Sequence, residues 1–103
     1  MRRGEVRWYK FSRPDKRRPV VILTRGSALE FLSEVTIAPV TSTIRNIPSE
    51  VVLTPSDGMA RACTVNLDHI QTVSLAKIGG LITTLENEKM AEIRSSLLFA
   101  LGF

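Results

Sequence analysis

Short β-prone runs, punctuated by turn residues at roughly eight-to-twelve-residue intervals, fill most of this chain, and one amphipathic run closes it. Arg7-Trp8-Tyr9-Lys10-Phe11 is aromatic and β-prone, and Ser12-Arg13-Pro14-Asp15 breaks it with turn chemistry. On such a strand Trp8 points one way while Tyr9 and Phe11 point the other. Pro19 suits the first position of a strand, and the unbroken apolar stretch that follows, residues 20–24, reads as a strand buried on both faces. Gly26 ends it, and residues 27–31 fit one short helical turn. Further strands are expected at 35–41, 50–53, 62–67, 70–73 and 78–83, with Pro55-Ser56-Asp57-Gly58 as the strongest turn between them. The Gly79-Gly80 pair marks a bulge or a close backbone approach. It is no phosphate-binding loop, because neither GxGxxG nor GKS/GKT accompanies it.

The closing run changes period. Met90, Ile93, Leu97 and Leu101 recur at helical spacing, Thr83-x-x-Glu86 offers a capping box, and Glu86, Glu88 and Glu92 place negative charge early, where a helix favours it. Short strands closed by one helix predict a mainly β domain, a small β-barrel or tightly curled sheet, spanning residues 1–103.

Composition narrows the function. An apolar fraction of 44% with 23% charged residues is that of a globular protein, and no run approaches the about eighteen apolar residues of a membrane span. Met1-Arg2-Arg3-Gly4-Glu5 has the charge of a signal peptide with no apolar segment behind it, so a cytoplasmic location is expected. The single cysteine, Cys63, excludes an internal disulfide and a cysteine zinc cage. With His69 the only histidine and no metal-binding spacing, neither metal nor cofactor is expected. A Cys63–His69 nucleophilic pair is conceivable, but Cys63 sits in an apolar run where a thiol usually serves packing.

Charge is distributed unevenly. Residues 1–18 hold eight lysines and arginines against Glu5 and Asp15, a local charge of +6 in a chain whose total is +4. Such a patch concentrates a polyanion, and nucleic acid is the commonest one in a cytoplasm. Arginines, hydroxyls and a carboxylate are then the groups left for chemistry. Metal-free RNA cleavage needs little more, because the ribose 2′-OH is an internal nucleophile. The protein has to orient it, neutralise charge on the phosphorane and manage two protons, and an arginine fork matches phosphate oxygens.

Arg3-Gly4-Glu5-Val6, Arg18-Pro19-Val20-Val21-Ile22, Ile37-Ala38-Pro39-Val40-Thr41-Ser42 and the segment Val65-Asn66-Leu67-Asp68-His69-Ile70-Gln71-Thr72-Val73 together resemble the MazF/PemK (Kid) family over nearly the whole chain. The resemblance implies an SH3-like barrel with a C-terminal helix, assembled as a homodimer. It also implies the toxin of a type II toxin–antitoxin pair, a metal-independent endoribonuclease that cuts single-stranded RNA at short sequences to a 2′,3′-cyclic phosphate and a 5′-OH. Its implied partner is a cognate antitoxin with a disordered acidic tail, for which the +6 segment is a docking surface. Carried over residue by residue, Arg18 is the catalytic arginine, Thr41 the hydroxyl that holds the phosphate and Asp68 an acid for proton transfer or RNA contact. Arg13, Lys16, Arg17, Ser42, Asn66 and His69 are expected to contact RNA around them. The chain departs from the family at Asn66 and Gln71, where many members carry arginine, and in the short loop 12–17. The alternatives are a gyrase poison of the CcdB type, which shares the barrel but relies on a C-terminal Trp-Gly-Ile that Leu101-Gly102-Phe103 lacks, and an inactive RNA- or protein-binding barrel.

Overall fold

The computed structural model describes residues 1–12 and 16–103, and Arg13 lies outside them. Seven strands appear in chain order: β1 Glu5–Lys10, β2 Arg17–Ile22, β3 Glu34–Thr41, β4 Glu50–Leu53, β5 Cys63–Asn66, β6 Gln71–Ser74 and β7 Ile78–Thr84. A four-residue helix α1, Gly26–Leu29, follows β2, and the long helix α2, Asn87–Leu101, ends the chain. The sheet is antiparallel and runs β4-β5-β3-β2-β1-β7, with β6 attached to β3. Strand β3 is the hub. Its first half pairs with β6, its last two residues pair with β5, and residues 37–39 pair with β2 on the other edge.

The unbroken apolar run after Pro19 is explained by what lies on either side of it. Val20 and Ile22 pack with Leu29, Val35, Ile37 and Val73, whereas Val21 faces Val6, Ala38, Val40, Leu53 and Val65. All three β2 residues are fully buried, so a period of two is present but hidden, because both faces are apolar. The expected curled sheet is therefore found, as an open path whose terminal strands are β4 and β7. Tyr9 and Phe11 meet edge to face at 4.8 Å beside the second cluster, on the side away from Trp8 as alternation requires.

The glycine pair behaves as read. Two register shifts interrupt the β1–β7 ladder, and a Cβ on Gly79 would stand 3.1 Å from the Trp8 carbonyl oxygen.

Three expectations fail. Pro19 is the third residue of β2 and not its first, because pairing with β1 carries the strand back to Arg17, and the strand ends at Ile22, short of residue 24. The capping box at Thr83–Glu86 does not form, because Thr83 still belongs to β7 and its Oγ1 donates to the Asp57 carbonyl at 3.0 Å. The box instead closes the Pro55–Asp57 turn, where the Thr54 amide donates to Asp57 Oδ2 at 2.9 Å and Thr54 Oγ1 accepts from the Ser56 amide. Leu101 is also not on the packed face of α2, being 53% exposed. The buried stripe runs through Met90, Ile93, Leu97 and Ala100, an i, i+3, i+7, i+10 row that leaves Leu101 one position past it. Among the described residues no helix is long and apolar enough to cross a membrane.

Glu5 opens β1 nearly buried, and its carboxylate meets Arg7 Nε at 2.8 Å. Burial pushes the Glu5 carboxyl up, but the hydrogen bond and charge of Arg7 outweigh it and leave it below its ordinary value. A folded value below the unfolded one gives stability that is complete above the ordinary carboxylate range and is lost as pH falls through the folded value. Urea midpoints of the wild type should therefore decline more steeply on acidification than those of Glu5→Gln. Parallel pH profiles would contradict this.

Candidate functional site

Strands β2 and β3 pair as Val20–Pro39, Val21–Ala38 and Ile22–Ile37. Continuing that register outward by two residues sets Arg18 opposite Thr41, the last residue of β3. Directly opposed residues on antiparallel strands are side-chain neighbours. Pro19 contributes here by fixing its own φ and by giving up an amide donor at the point where the ladder ends.

Two adjoining hollows open around this pair, one of about 760 Å³ and one of about 280 Å³. Arg18, Thr41 and Thr43 line both. Lys16, Arg17 and Arg61 add further cations to the larger one, and among the described residues no carboxylate lines either. The result, among the described residues, is a cleft of positive sign, which attracts anionic groups and has no carboxylate in its lining to compete for the arginines.

Among the described residues, two of the five cations that line these hollows are committed. Arg45 holds Glu50 through Nε at 2.9 Å and Nη2 at 2.7 Å, and the Arg17 guanidinium lies 4.8 Å from the Trp8 ring centroid. Arg18 is not. Among the described residues its half-buried guanidinium makes no hydrogen bond and no ion pair. Across from it, Thr41 Oγ1 accepts from the Thr43 amide at 3.3 Å, which leaves the hydroxyl proton free to be donated outward. An uncommitted arginine and a hydroxyl free to donate thus line the same two hollows.

The smaller hollow is lined by polar side chains. Asn66 is 5% exposed, its Oδ1 accepts from the Asp68 amide at 3.0 Å, and its Nδ2 lies 3.3 Å from His69 Nδ1. With Oδ1 so engaged, the amide nitrogen is the atom Asn66 turns toward the imidazole.

The sequence-derived residues separate accordingly. Lys16, Arg17 and the exposed Ser42 line the larger hollow with Arg18 and Thr41, and Asn66 and His69 line the smaller. Asp68 lines neither. It is exposed on the Leu67–His69 turn, where its Oδ2 accepts from Ser49 Oγ. The Cys63–His69 pair is not assembled either, since Cys63 lines the larger hollow and His69 the smaller. Burial pushes the Cys63 thiol up and nearby Asp57 pushes it further, with only partial relief from Arg61, so the sulfur stays protonated at neutral pH.

Arg61, Thr43 and Arg45 were not singled out by the sequence. Arg61 arrives from the β4–β5 connection, and nothing in its neighbours announces that this connection folds back beside β2. Trp8 had a usable signal, because the two-residue alternation already set it on the opposite side from Tyr9 and Phe11, which the structure places beside the second core cluster.

Comparison with known proteins is consistent across sequence and structure. A family model described as the PemK-like, MazF-like toxin of type II toxin–antitoxin systems matches residues 2–101. The probable endoribonuclease MazF5 of Mycobacterium tuberculosis is 42% identical over 96 residues, covering 92% of this chain and 87% of that protein. The endoribonuclease MazF3 of the same species is 35% identical over 81 residues, covering 76% of this chain and 79% of that protein. Among solved structures, a mycobacterial endoribonuclease in complex with its cognate antitoxin superposes with a TM-score of 0.90 at 26% identity, over 100% of this chain and 96% of that one. The M. tuberculosis toxin MazF-mt6 gives 0.88 at 27% identity, over 96% and 97%.

Proposed function

This chain belongs to the PemK-like, MazF-like toxin family of type II toxin–antitoxin systems, and we propose that it severs single-stranded RNA at a phosphate held between Arg18 and Thr41. It is an endoribonuclease of the MazF type and the toxin half of its pair. The observation that carries the assignment of the site is that the uncommitted Arg18 and Thr41 both line two adjoining hollows that have no carboxylate among the described residues.

The chemistry follows from that geometry. The 2′-oxygen of the ribose attacks the adjacent phosphorus as the bond from phosphorus to the 5′-oxygen breaks, leaving a 2′,3′-cyclic phosphate and a 5′-OH. Negative charge grows on the non-bridging oxygens, and the Arg18 fork neutralises it without leaving the charged state, since a guanidinium loses its proton only above about pH 12. Thr41 donates to the same phosphate and fixes its orientation for in-line attack. The 2′-OH proton passes to solvent in the open cleft, and the departing 5′-oxygen takes one back. Asp68 is assigned to holding the turn that presents Asn66 and His69, because its carboxylate is engaged by Ser49. No metal is required by this scheme. The substrate runs through both hollows, with Lys16 and Arg17 on its backbone and Asn66 and His69 at its bases.

Toxin activity of this kind belongs in the cytoplasm, and an acidic antitoxin segment lying in the cationic cleft would block it by occupying the Arg18 site. A homodimer is the proposed assembly. Nothing in the site favours gyrase poisoning or an inactive barrel over cleavage.

Thr41→Val keeps the β-branched shape and removes only the hydroxyl. We expect kcat/KM to fall about ten- to a hundredfold, the worth of one hydrogen bond to a charged group, with thermal stability nearly unchanged. The defining experiment incubates the purified protein with mixed RNA in EDTA and maps the ends. Cleavage that survives chelation and leaves 5′-OH termini supports the mechanism. Cleavage abolished by chelation, or leaving 5′-phosphate termini, refutes it.

A further inference from the structure

The larger hollow has a construction that phosphate binding does not explain. Its floor is apolar, with Val40, Met59 and Ile82 lining it, and one wall is the half-buried indole of Trp8. Arg17 is held 4.8 Å from the centroid of that ring, so a guanidinium plane and an indole already stand together before any ligand arrives. Arg61, exposed and without a hydrogen bond or ion pair among the described residues, stands at the same hollow. Glu5, the acid closest in sequence to Trp8 among the described residues, is occupied by Arg7. A site built only for phosphate would have polar walls throughout. This one offers a flat π surface, an apolar floor and a cationic rim.

We infer that the larger hollow is a stacking subsite for one unpaired base directly flanking the scissile phosphate, with Trp8 and Arg17 as its platform and Arg61 pairing the next phosphate along. The inference rests on the reading of Arg18 and Thr41 as the phosphate site. Stacking on indole or guanidinium tolerates any base, because every base has a π face. The two hollows therefore divide the work. The Trp8 side supplies affinity with little discrimination, and the Asn66–His69 side, with an amide and an imidazole N–H, supplies hydrogen-bond readout of sequence. Requiring a base free to leave its own stack also restricts this site to single strands.

Trp8 is the only tryptophan in the chain, so its emission reports on this wall alone. The probe is a short RNA spanning a mapped cleavage site, with a 2′-deoxy nucleotide at the scissile position to prevent cutting. A distal label reports binding independently by anisotropy. We expect the wild-type protein to bind it with strong quenching of Trp8 emission. An abasic nucleotide at one of the two positions flanking the scissile phosphate should abolish the quenching and weaken binding about tenfold or more. Quenching unaffected by an abasic nucleotide at either flank, or binding with unchanged emission, overturns the subsite while leaving the nuclease reading intact. Absence of both binding and cleavage would instead sink the nuclease reading itself. In steady state, Trp8→Ala and Arg61→Ala should raise KM about tenfold with kcat largely retained, and Trp8→Phe should recover most of the loss. A fall in kcat at unchanged KM, or equal losses for Trp8→Ala and Trp8→Phe in folded protein, would also overturn it.

Discussion

Arg18→Ala reduces cleavage to about one per cent of wild type or less, a loss of about 2.7–4 kcal/mol in transition-state stabilisation, while the protein melts within a few degrees of its parent. Both halves of that expectation come from one fact. The guanidinium has no partner among the described residues, so removing it breaks no internal hydrogen bond and strands no buried charge. What is lost is a donor fork at the place where the two hollows meet. Lys16, Arg17 and Arg61 do not replace it, since Arg17 is stacked on Trp8 and none of the three is shared by both hollows. Arg18→Lys should recover only part of the rate, because an ammonium keeps the charge but not the planar pair of donors. Single-turnover cleavage of one defined RNA separates these outcomes. Full activity in Arg18→Ala would remove the basis of the mechanism.

The second large effect is on folding. Gly58→Ala should destabilise the protein by about 3 kcal/mol and lower the midpoint of thermal unfolding by about 12 °C or more. Gly58 sits at φ +97, where a side chain costs about 1–2 kcal/mol. A Cβ there would also overlap the side chain of Thr83, which is β-branched, lies on β7 and has little freedom to rotate away. Moving Thr83 sacrifices its hydrogen bond to the Asp57 carbonyl, worth about 1 kcal/mol. Gly80→Ala is the control, as Gly80 has ordinary φ and a Cβ there meets nothing within 4 Å. Equal melting temperatures for the two variants would refute the account of this turn. The turn matters to the site because Met59 and Arg61, on the chain just beyond it, line the larger hollow.

Much of this was legible beforehand. The Pro55–Gly58 turn and the glycine pair each carry a local physical cause, namely a left-handed residue or a missing Cβ, and each lies where the sequence put it. The strand through Pro19 was found in the right place but with its bounds shifted two residues back. Arg18 and Thr41 were separately visible as a cation against a strand and a hydroxyl at the end of another. Their meeting was not, because it depends on the β2–β3 register, a pairing across fifteen to nineteen residues that only the family resemblance could anticipate. The capping box was misplaced for a related reason. Thr83-x-x-Glu86 and Thr54-x-x-Asp57 are equivalent as local patterns, and the choice was made by β7 continuing to Thr84. Arg61 had no local signature at all, and the segment around Asp68 gave no sign of the Ser49 hydroxyl that donates to its Oδ2.

The central claim is that one phosphate sits between the Arg18 guanidinium and the Thr41 hydroxyl. A crystal structure with a single-stranded RNA blocked by a 2′-deoxy nucleotide at the scissile position tests it most directly. The account predicts non-bridging oxygens of that phosphate within about 3 Å of both Arg18 and Thr41 Oγ1. RNA bound with its scissile phosphate away from these two groups would contradict it.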